Sequence, residues 1–464
     1  MTLDDFRTPQ LLRLHSGKVR ESFRVDRDTR LIITTDRVSA FDRVLDTSIP
    51  EKGAVLNGLS AFWFSRTTDI VANHFLRVVD PQASLVREVS PIRVEMIVRG
   101  YLTGSMWRQY AQGKRNFSGV TVADGLSRHG RFPEPIVTPT TKEESDREIT
   151  PYEIVASGLV TDAIYEQMTD AARRLFEFGR ASLAEKGILL VDTKYEFGIR
   201  DGTLMLIDEL HTPDSSRFWR ADSYDRDSTR PESLDKEFIR AFLLETRATE
   251  VTPSALPADV VSEARRRYRT IYEVTTGATL DVPSIPPAQR LCLNLARDGL
   301  IHDGFVAVIM GSPKDADHCG RIVSALEPYE VFVETRVVSA HKNPEDVTTV
   351  LRDYSDAAEP GAIIAVAGMS NGLGGALAAN TPLPVINCPP FKDQTDFLAN
   401  INSSLLMPSG VAAATVVNPR SAALAAVRSL NLPRLKRILA AEIDASRSEL
   451  RAADRATRRD THDV

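Results

Sequence analysis

Residues 305–315 read FVAVIMGSPKD: a six-residue apolar run, Phe305 to Met310, stopped by Gly311 and Ser312. Short apolar runs rich in β-branched residues and bounded by turn formers are the signature of strands covered on both faces. Working outward, the pattern recurs at 330–338 (EVFVETRVV), 362–367 (AIIAVA) and 384–386 (PVI), and the intervening segments carry apolar residues at helical spacing. Strands alternating with helices predict a parallel sheet between helical layers, joined by right-handed crossovers. All strands of such a sheet point one way, so the loops that follow them share the edge where α/β sheets hold ligands. Those loops read Met310-Gly311-Ser312, Ser339-Ala340-His341-Lys342 and, over 367–375, AGMSNGLGG.

Each loop suits a phosphorylated ligand. Gly311 admits close backbone approach, and Ser312 is placed to cap a helix starting near Pro313, whose free N–H groups attract phosphate. Asp315, in the first turn, is placed for a ribose hydroxyl. Asn343 reads as an N-cap with Pro344 at the first helical position, which sets His341 just before a helix at the end of a strand. The third loop, containing Ser370, Asn371 and Gly372, has four glycines among its nine residues and reads as a backbone wall against a ligand. A histidine or a glycine-rich loop alone is more often structural than chemical; three such loops on one edge reverse that balance. Cys388 reads as a small buried apolar residue.

The strings MGSPKD, VVSAHKNPED, VAGMSNGLGG, LPVINCPP and LMPSGVAAATV resemble the phosphoribosylaminoimidazole carboxylase family from residue 305 to about 440. The resemblance implies an α/β flavodoxin-like three-layer parallel-sheet fold, assembly as an octamer, and aminoimidazole ribonucleotide as substrate. Gly311, Ser312, Asp315, Ser339, Lys342, Ser370, Asn371 and Gly372 fall on the family's nucleotide-binding positions, and His341 on its catalytic histidine. The chemistry agrees: an electron-rich aminoimidazole attacks CO2 directly, without biotin or another cofactor, and then needs a base of near-neutral pKa to take the ring proton. The common bacterial branch has a loop of the form AHLPG where this chain has SNGLGG, and an arginine at Lys342. Both differences resemble the animal-type branch, which uses CO2; the alternative is a mutase acting on an N-carboxy precursor.

A chain of 464 residues exceeds one ordinary core, so at least two domains are expected. A stretch with Pro283, Pro286 and Pro287, read as a linker, follows a predicted helix over 259–275. The expected layout is 1–276, a linker over 277–304, 305–440, and a charged tail over 441–464 consisting of a helix end and a frayed terminus. With 57 basic and 63 acidic residues the net charge is -6, which gives no nucleic-acid footprint. No apolar run reaches membrane-spanning length, and MTLDDFR does not resemble a signal peptide. Three cysteines fit a reducing compartment, and a cytoplasmic enzyme is expected.

The first domain carries different chemistry. Ser16-Gly17-Lys18-Val19-Arg20 offers a glycine turn beside a lysine, and Val191 to Gly198 (VDTKYEFG) precedes Leu206-Ile207-Asp208-Glu209. These latter segments read as adjacent strands joined near Gly202, with alternation placing Asp192, Lys194 and Glu196 on one face. Carboxylates and a lysine gathered there suit a magnesium nucleotide, although a solvated face of paired charges is the simpler reading.

SGKVRES, TTDRVSAFD, SIPEKG, VRGYLTGS, FPEPIVTPTTK, VDTKYEFG and DELHTPDSSRFW resemble the SAICAR synthetase family, over residues 9 to about 276. The resemblance implies an α+β ATP-grasp-like domain that ligates L-aspartate to carboxyaminoimidazole ribonucleotide, with ATP and Mg2+. Glu196 and Asp208 fall on the metal ligands, Gly17 and Lys18 on the phosphate-covering loop, and Arg99, Ser105 and Arg217 on groups that hold the nucleotide's carboxylate and phosphate. Asp192 and Lys194 flank the reacting centre, and Asp214 matches a binding-loop acid. The second domain's product is then the first domain's substrate. The rivals are a partner that carboxylates the ribonucleotide with ATP, and a non-catalytic nucleotide-binding scaffold.

Overall fold

The computed structural model describes every residue except Asp42, 144–146, 248–254 and 461–464. It divides into two compact units, Met1–Asp5 with Leu12–Leu291, and Phe6–Leu11 with the chain from Cys292 onward.

The second unit is built on five parallel strands in the order Phe332–Val337, Phe305–Met310, Gly361–Val366, Val385–Asn387 and Ala414–Thr415. Numbered along the chain this is 2-1-3-4-5, the flavodoxin-like order, whose direction reverses beside the first strand. Every residue of Phe305–Met310 and Gly361–Val366 is buried, because helices cover both faces. Val306, Val308 and Val366 pack against Ile322, Leu326 and Ala426 of helices Ala316–Leu326 and Pro419–Ser429. Ala307, Ile309 and Ile363 face Val347, Leu351 and Leu377 of helices Glu345–Ser355 and Gly372–Ala379. The parallel three-layer expectation therefore holds for this unit. The second strand starts later than expected because Glu330 takes a left-handed conformation (φ 49°), and the two-residue fifth strand was not anticipated.

Gly361 shows how tightly the layers close. A Cβ there would lie 2.1 Å from Phe305 Cζ, and the Phe305 ring is fully buried and stacked on Tyr354 at 5.6 Å. Gly361→Ala is expected to destabilise this unit by about 1–3 kcal/mol through overpacking. The measurement is the denaturation midpoint of the carboxyl-terminal unit; an unshifted midpoint would mean that the ring can yield.

The first unit has two antiparallel sheets. One orders Leu12–Ser16, Arg20–Arg24, Thr29–Thr34, Ala83–Arg87 and Phe75–Asp80; the other orders Arg131–Thr141, Ser90–Tyr101, Ile188–Arg200 and Thr203–Ile207, with Ser216–Arg220 paired to Ile188–Arg200. Helix Asp162–Ala184 buries Met168, Leu175 and Phe176 against the second sheet, in one core with Val94, Met96, Val98, Tyr195 and Phe197. Period-2 alternation turns Glu95, Arg99, Asp192, Lys194 and Glu196 away from that core. Register places Asp192 opposite Arg99 and Glu196 opposite Glu95. The expected turn near Gly202 is a two-residue hairpin with Asp201 and Gly202 both left-handed (φ 52° and 74°), the type I′ geometry that suits twisted strands.

Two connections differ from expectation. The stretch 277–304 contains a helix, Pro287–Arg297, whose buried Arg290 donates to both oxygens of Asp80, at 3.0 and 3.1 Å, and to Gln82. The chain after 440 continues one 28-residue helix, Pro433–Asp460, because it is rich in Ala and Arg and lacks Gly or Pro after its first residue. Leu435 and Leu439 anchor that helix in the core, whereas Ile443 and Leu450 are exposed. Residues 461–464, the end of the expected frayed tail, lie outside the described residues.

Candidate active sites

In the first unit, Lys194 Nζ lies 2.6 Å from Glu95 Oε1 and 2.9 Å from Glu196 Oε1, and Lys142 reaches the other oxygen of Glu196. Arg20 bridges Asp208 at 2.6 Å and Glu209 at 2.5 Å. Burial alone would lower the Lys194 ammonium, but the attractions of Glu196, Glu95 and Asp208 hold it above its ordinary range. Burial would likewise raise Asp208, and Arg20, Lys194 and Lys142 outweigh it, leaving the acid well below the usual carboxylate range. Each of these two groups is thus held in its charged form by opposite charges interleaved around it.

It borders a cavity of about 360 Å³ whose walls include Gly17, Lys18, Arg20, Lys142, Glu196 and Asp208. Gly17 and Lys18 lie in the hairpin between Leu12–Ser16 and Arg20–Arg24, closed by the 2.8 Å bond from Gly17 N–H to the Arg20 carbonyl. Arg37 donates to the carbonyls of Gly17 and Lys18, fixing the turn from outside. Asp208 is itself left-handed (φ 68°), a conformation that costs an aspartate strain and that recurs at functional sites.

A second group on the same sheet face gathers Arg99, Asp192 and Arg217. Arg217 donates to Asp192 at 2.5 Å, Arg99 lies 3.7 Å from the same oxygen, and Arg99 Nε donates to Thr138 at 2.9 Å. Arg99, Ser105, Thr138 and Glu148 line a narrow cleft. Gly104 is left-handed (φ 60°), and a Cβ there would stand 2.5 Å from Arg217 Nη2; only glycine lets the Ser105 turn approach this guanidinium. The Asp214 side chain is buried and close enough to Arg20 to attract it; its oxygens accept from Lys52 Nζ at 2.7 Å and Tyr268 OH at 2.8 Å, so both have partners within the protein.

In the second unit the three loops do meet. A Cβ at Gly311 would be 3.4 Å from Ala367 Cβ, and one at Gly372 would be 2.6 Å from His341 Cε1, so the imidazole lies on the Gly372 backbone. His341 and Lys342 are exposed, and Asp315 is partly buried, with burial raising its carboxyl. Ser312 caps a single turn, Pro313–Asp315, accepting from Lys314 N–H at 3.3 Å. Asn343 does not cap the following helix, which begins at Glu345. Its Oδ1 accepts from Ser339 N–H at 2.8 Å and its Nδ2 donates to Asp346, so it closes the 339–343 loop with His341 at the bend. Asn371 is the N-cap of Gly372–Ala379 and donates to Ser404 at 2.9 Å, whereas Ser370 is exposed.

Several site residues went unassigned in the sequence. Glu95, Arg20, Glu209 and Lys142 complete the charged network; the alternation around Glu95 was a usable signal, but the partners of the others come from distant strands. His318 is buried with Nδ1 3.0 Å from Arg321 and Nε2 3.3 Å from Cys388 Sγ. Because arginine only donates, Nδ1 accepts and Nε2–H points at the sulfur. Burial pushes the Cys388 thiol up to about 12, which makes it a packing residue.

A sequence model of the SAICAR synthetase family matches residues 13–255, and one of the AIR carboxylase family matches residues 305–452. The phosphoribosylaminoimidazole-succinocarboxamide synthase of Legionella pneumophila is 41% identical over 285 residues, 59% of this chain and 90% of its own length. The chloroplastic synthase of Arabidopsis thaliana is 43% identical over 294 residues, 61% of this chain and 70% of its own. The solved SAICAR-synthase from Saccharomyces cerevisiae complexed with SAICAR aligns with a TM-score of 0.53 at 34% identity, over 59% of this chain and 97% of that one. The chain belongs to the SAICAR synthetase family and carries an AIR carboxylase domain fused behind the synthetase, which makes it a bifunctional enzyme of purine biosynthesis.

Proposed function

We propose that the carboxyl-terminal site carboxylates aminoimidazole ribonucleotide with CO2 itself, and that the amino-terminal site, an ATP-grasp-like cleft, ligates L-aspartate to the product using ATP and Mg2+. The observation that carries the reading is the ion-pair network of Arg20, Lys142 and Lys194 with Glu95, Glu196, Asp208 and Glu209 beside the 360 Å³ cavity.

Among the described residues no group of three or more His, Cys, Asp or Glu side chains is arranged to enclose a metal. That suits magnesium, which takes one or two carboxylates and completes its shell from phosphate and water. Glu196 and Asp208 would hold it, and the ion would neutralise charge on the transferring phosphoryl group. Arg20, Lys142 and Lys194, which pair with these acids, are the cations a triphosphate would draw. The substrate carboxylate attacks the γ-phosphate to give an acyl phosphate and ADP; the aspartate amine then displaces phosphate. Arg99, Ser105 and Arg217 would orient the nucleotide, with Asp192 aligning the two guanidiniums.

In the carboxylase, His341 takes the proton from the imidazole carbon as that carbon bonds to CO2, restoring the aromatic ring. The 367–375 loop carries no titratable side chain, so His341 has no second acid or base from that loop, which supports CO2 as the carboxyl source. Consumption of the product by an ATP-driven step would pull an unfavourable carboxylation forward. Octamer assembly through the carboxylase domain is supported by apolar groups exposed on that unit, Met369 at 83% and Leu406 at 81%. A cytoplasmic setting is supported by three unpaired, buried cysteines; no helix among the described residues is long and apolar enough to cross a membrane.

The test follows aminoimidazole ribonucleotide with bicarbonate, aspartate and Mg2+, with and without ATP. Carboxylation is expected in both cases and succinocarboxamide product only with ATP. Faster consumption of the N-carboxy precursor than of aminoimidazole ribonucleotide with CO2 would replace the carboxylase reading with the mutase.

A further inference from the structure

The ladder between Ile188–Arg200 and Thr203–Ile207 pairs Glu196 with Ile207. The next residue, Asp208, leaves the sheet in a left-handed conformation, and the chain rejoins it at Ser216. The exit is thus a place where the two proposed metal ligands could drift apart. Within that loop His211 is also left-handed (φ 48°) and turns into the core, where its ring is 1% exposed. Its Nε2 lies 2.7 Å from Tyr195 OH. Tyr195 stands between Lys194 and Glu196 on their strand, with its side chain on the opposite, buried face.

The ring is held on two further sides. Trp63 meets it edge-on at 4.9 Å, and helix Asp162–Ala184 presents Gly179, where a Cβ would fall 2.4 Å from His211 Cε1. Burial lowers the His211 imidazole to about 3, so the ring is neutral. Thr212, next in the chain, donates to Glu209, which holds Arg20.

We propose that Tyr195 and His211 form a buried pin that sets the separation of Glu196 and Asp208, acting as positioning residues for metal-nucleotide binding by the synthetase. The hydrogen bond ties the loop to the strand from the core side, one residue from Glu196 and three from Asp208. This rests on the assignment of those two carboxylates to the divalent cation.

The test measures Mn2+ binding to the full chain, by its paramagnetic signal, in the presence of a non-hydrolysable ATP analogue. The Mg2+ dependence of synthetase turnover is measured alongside. Tyr195→Phe removes only the hydroxyl and is expected to weaken Mn2+ binding roughly tenfold, the scale for losing a group that orients a ligand. Turnover should recover toward wild type at saturating Mg2+, with carboxylation unchanged. Gly179→Ala pushes the same ring from the other side, touches neither carboxylate, and should shift Mn2+ affinity in the same direction. Unchanged Mn2+ affinity in the folded variants, with only a lower melting temperature, would overturn the pin and leave the pair as ordinary core. Glu196→Gln, run in parallel, separates the two ideas: if it too leaves Mn2+ affinity unchanged, the metal assignment has failed and not merely the pin.

Discussion

Replacing His341 with asparagine is expected to slow carboxylation of aminoimidazole ribonucleotide by about two to four orders of magnitude, the range for a lost acid–base group. Synthetase activity on supplied carboxylated substrate should be spared. The substitution keeps polarity and approximate size but removes the only titratable ring on the three loops. His341 is exposed and rests on Gly372, so the change empties no core; exposed substitutions of this kind usually move stability by less than about 0.5 kcal/mol. The melting temperature should therefore be unaltered while the rate collapses. Steady-state carboxylation at saturating CO2 is the measurement, and a variant retaining more than about a tenth of the rate would remove His341 from the proton transfer. Gly372→Ala is a useful companion, because its methyl would intrude on the ring without deleting it.

How much of this was legible in the sequence depended on range. The parallel sheet was readable because strands covered on both faces leave unbroken apolar runs, as in Phe305–Met310 and Gly361–Val366. Ala414–Thr415 was not, since two small residues carry no periodicity. Asp192, Lys194 and Glu196 announced their common face through period 2, whereas Arg20 and Glu95 became site residues only when separate strands brought them to Asp208 and Lys194. Asn343 has the composition of a cap, yet its amide closes the preceding loop instead: local preference named a hydrogen-bonding residue but not its partner. Asp214 shows the reverse difficulty. An acid in a polar loop looks available to a ligand, and only the fold reveals Lys52 and Tyr268 upon it. The prolines before Pro287–Arg297 suggested a linker, although proline also starts helices, and the decisive contact is Arg290 on Asp80.

Glu196→Gln is expected to lower synthetase turnover at least about a hundredfold, the scale for removing one group that stabilises transition-state charge, with carboxylation unchanged. The amide matches the carboxylate in shape, so the strand and its Glu95 and Ile207 neighbours should hold their register. What changes is charge. Glu196 faces Lys194 and Lys142, so Lys194 would keep Glu95 as its direct ion-pair partner, with Asp208 still attracting it, while Lys142 would lose the acid it now contacts. Two consequences follow with opposite signs. Metal-free ATP should bind as well or better, because Lys142 is freed and Lys194 is held by one acid fewer; metal-dependent turnover should fall, because a hard anionic ligand has gone and an amide oxygen replaces it poorly. A simple loss of folding would weaken both. The decisive pair of measurements is therefore nucleotide affinity without divalent cation and turnover with it. Weaker ATP binding without metal would mean that Glu196 orients the lysines and does not hold the ion, and loss of carboxylation in the same folded variant would end the assignment of the two reactions to separate sites.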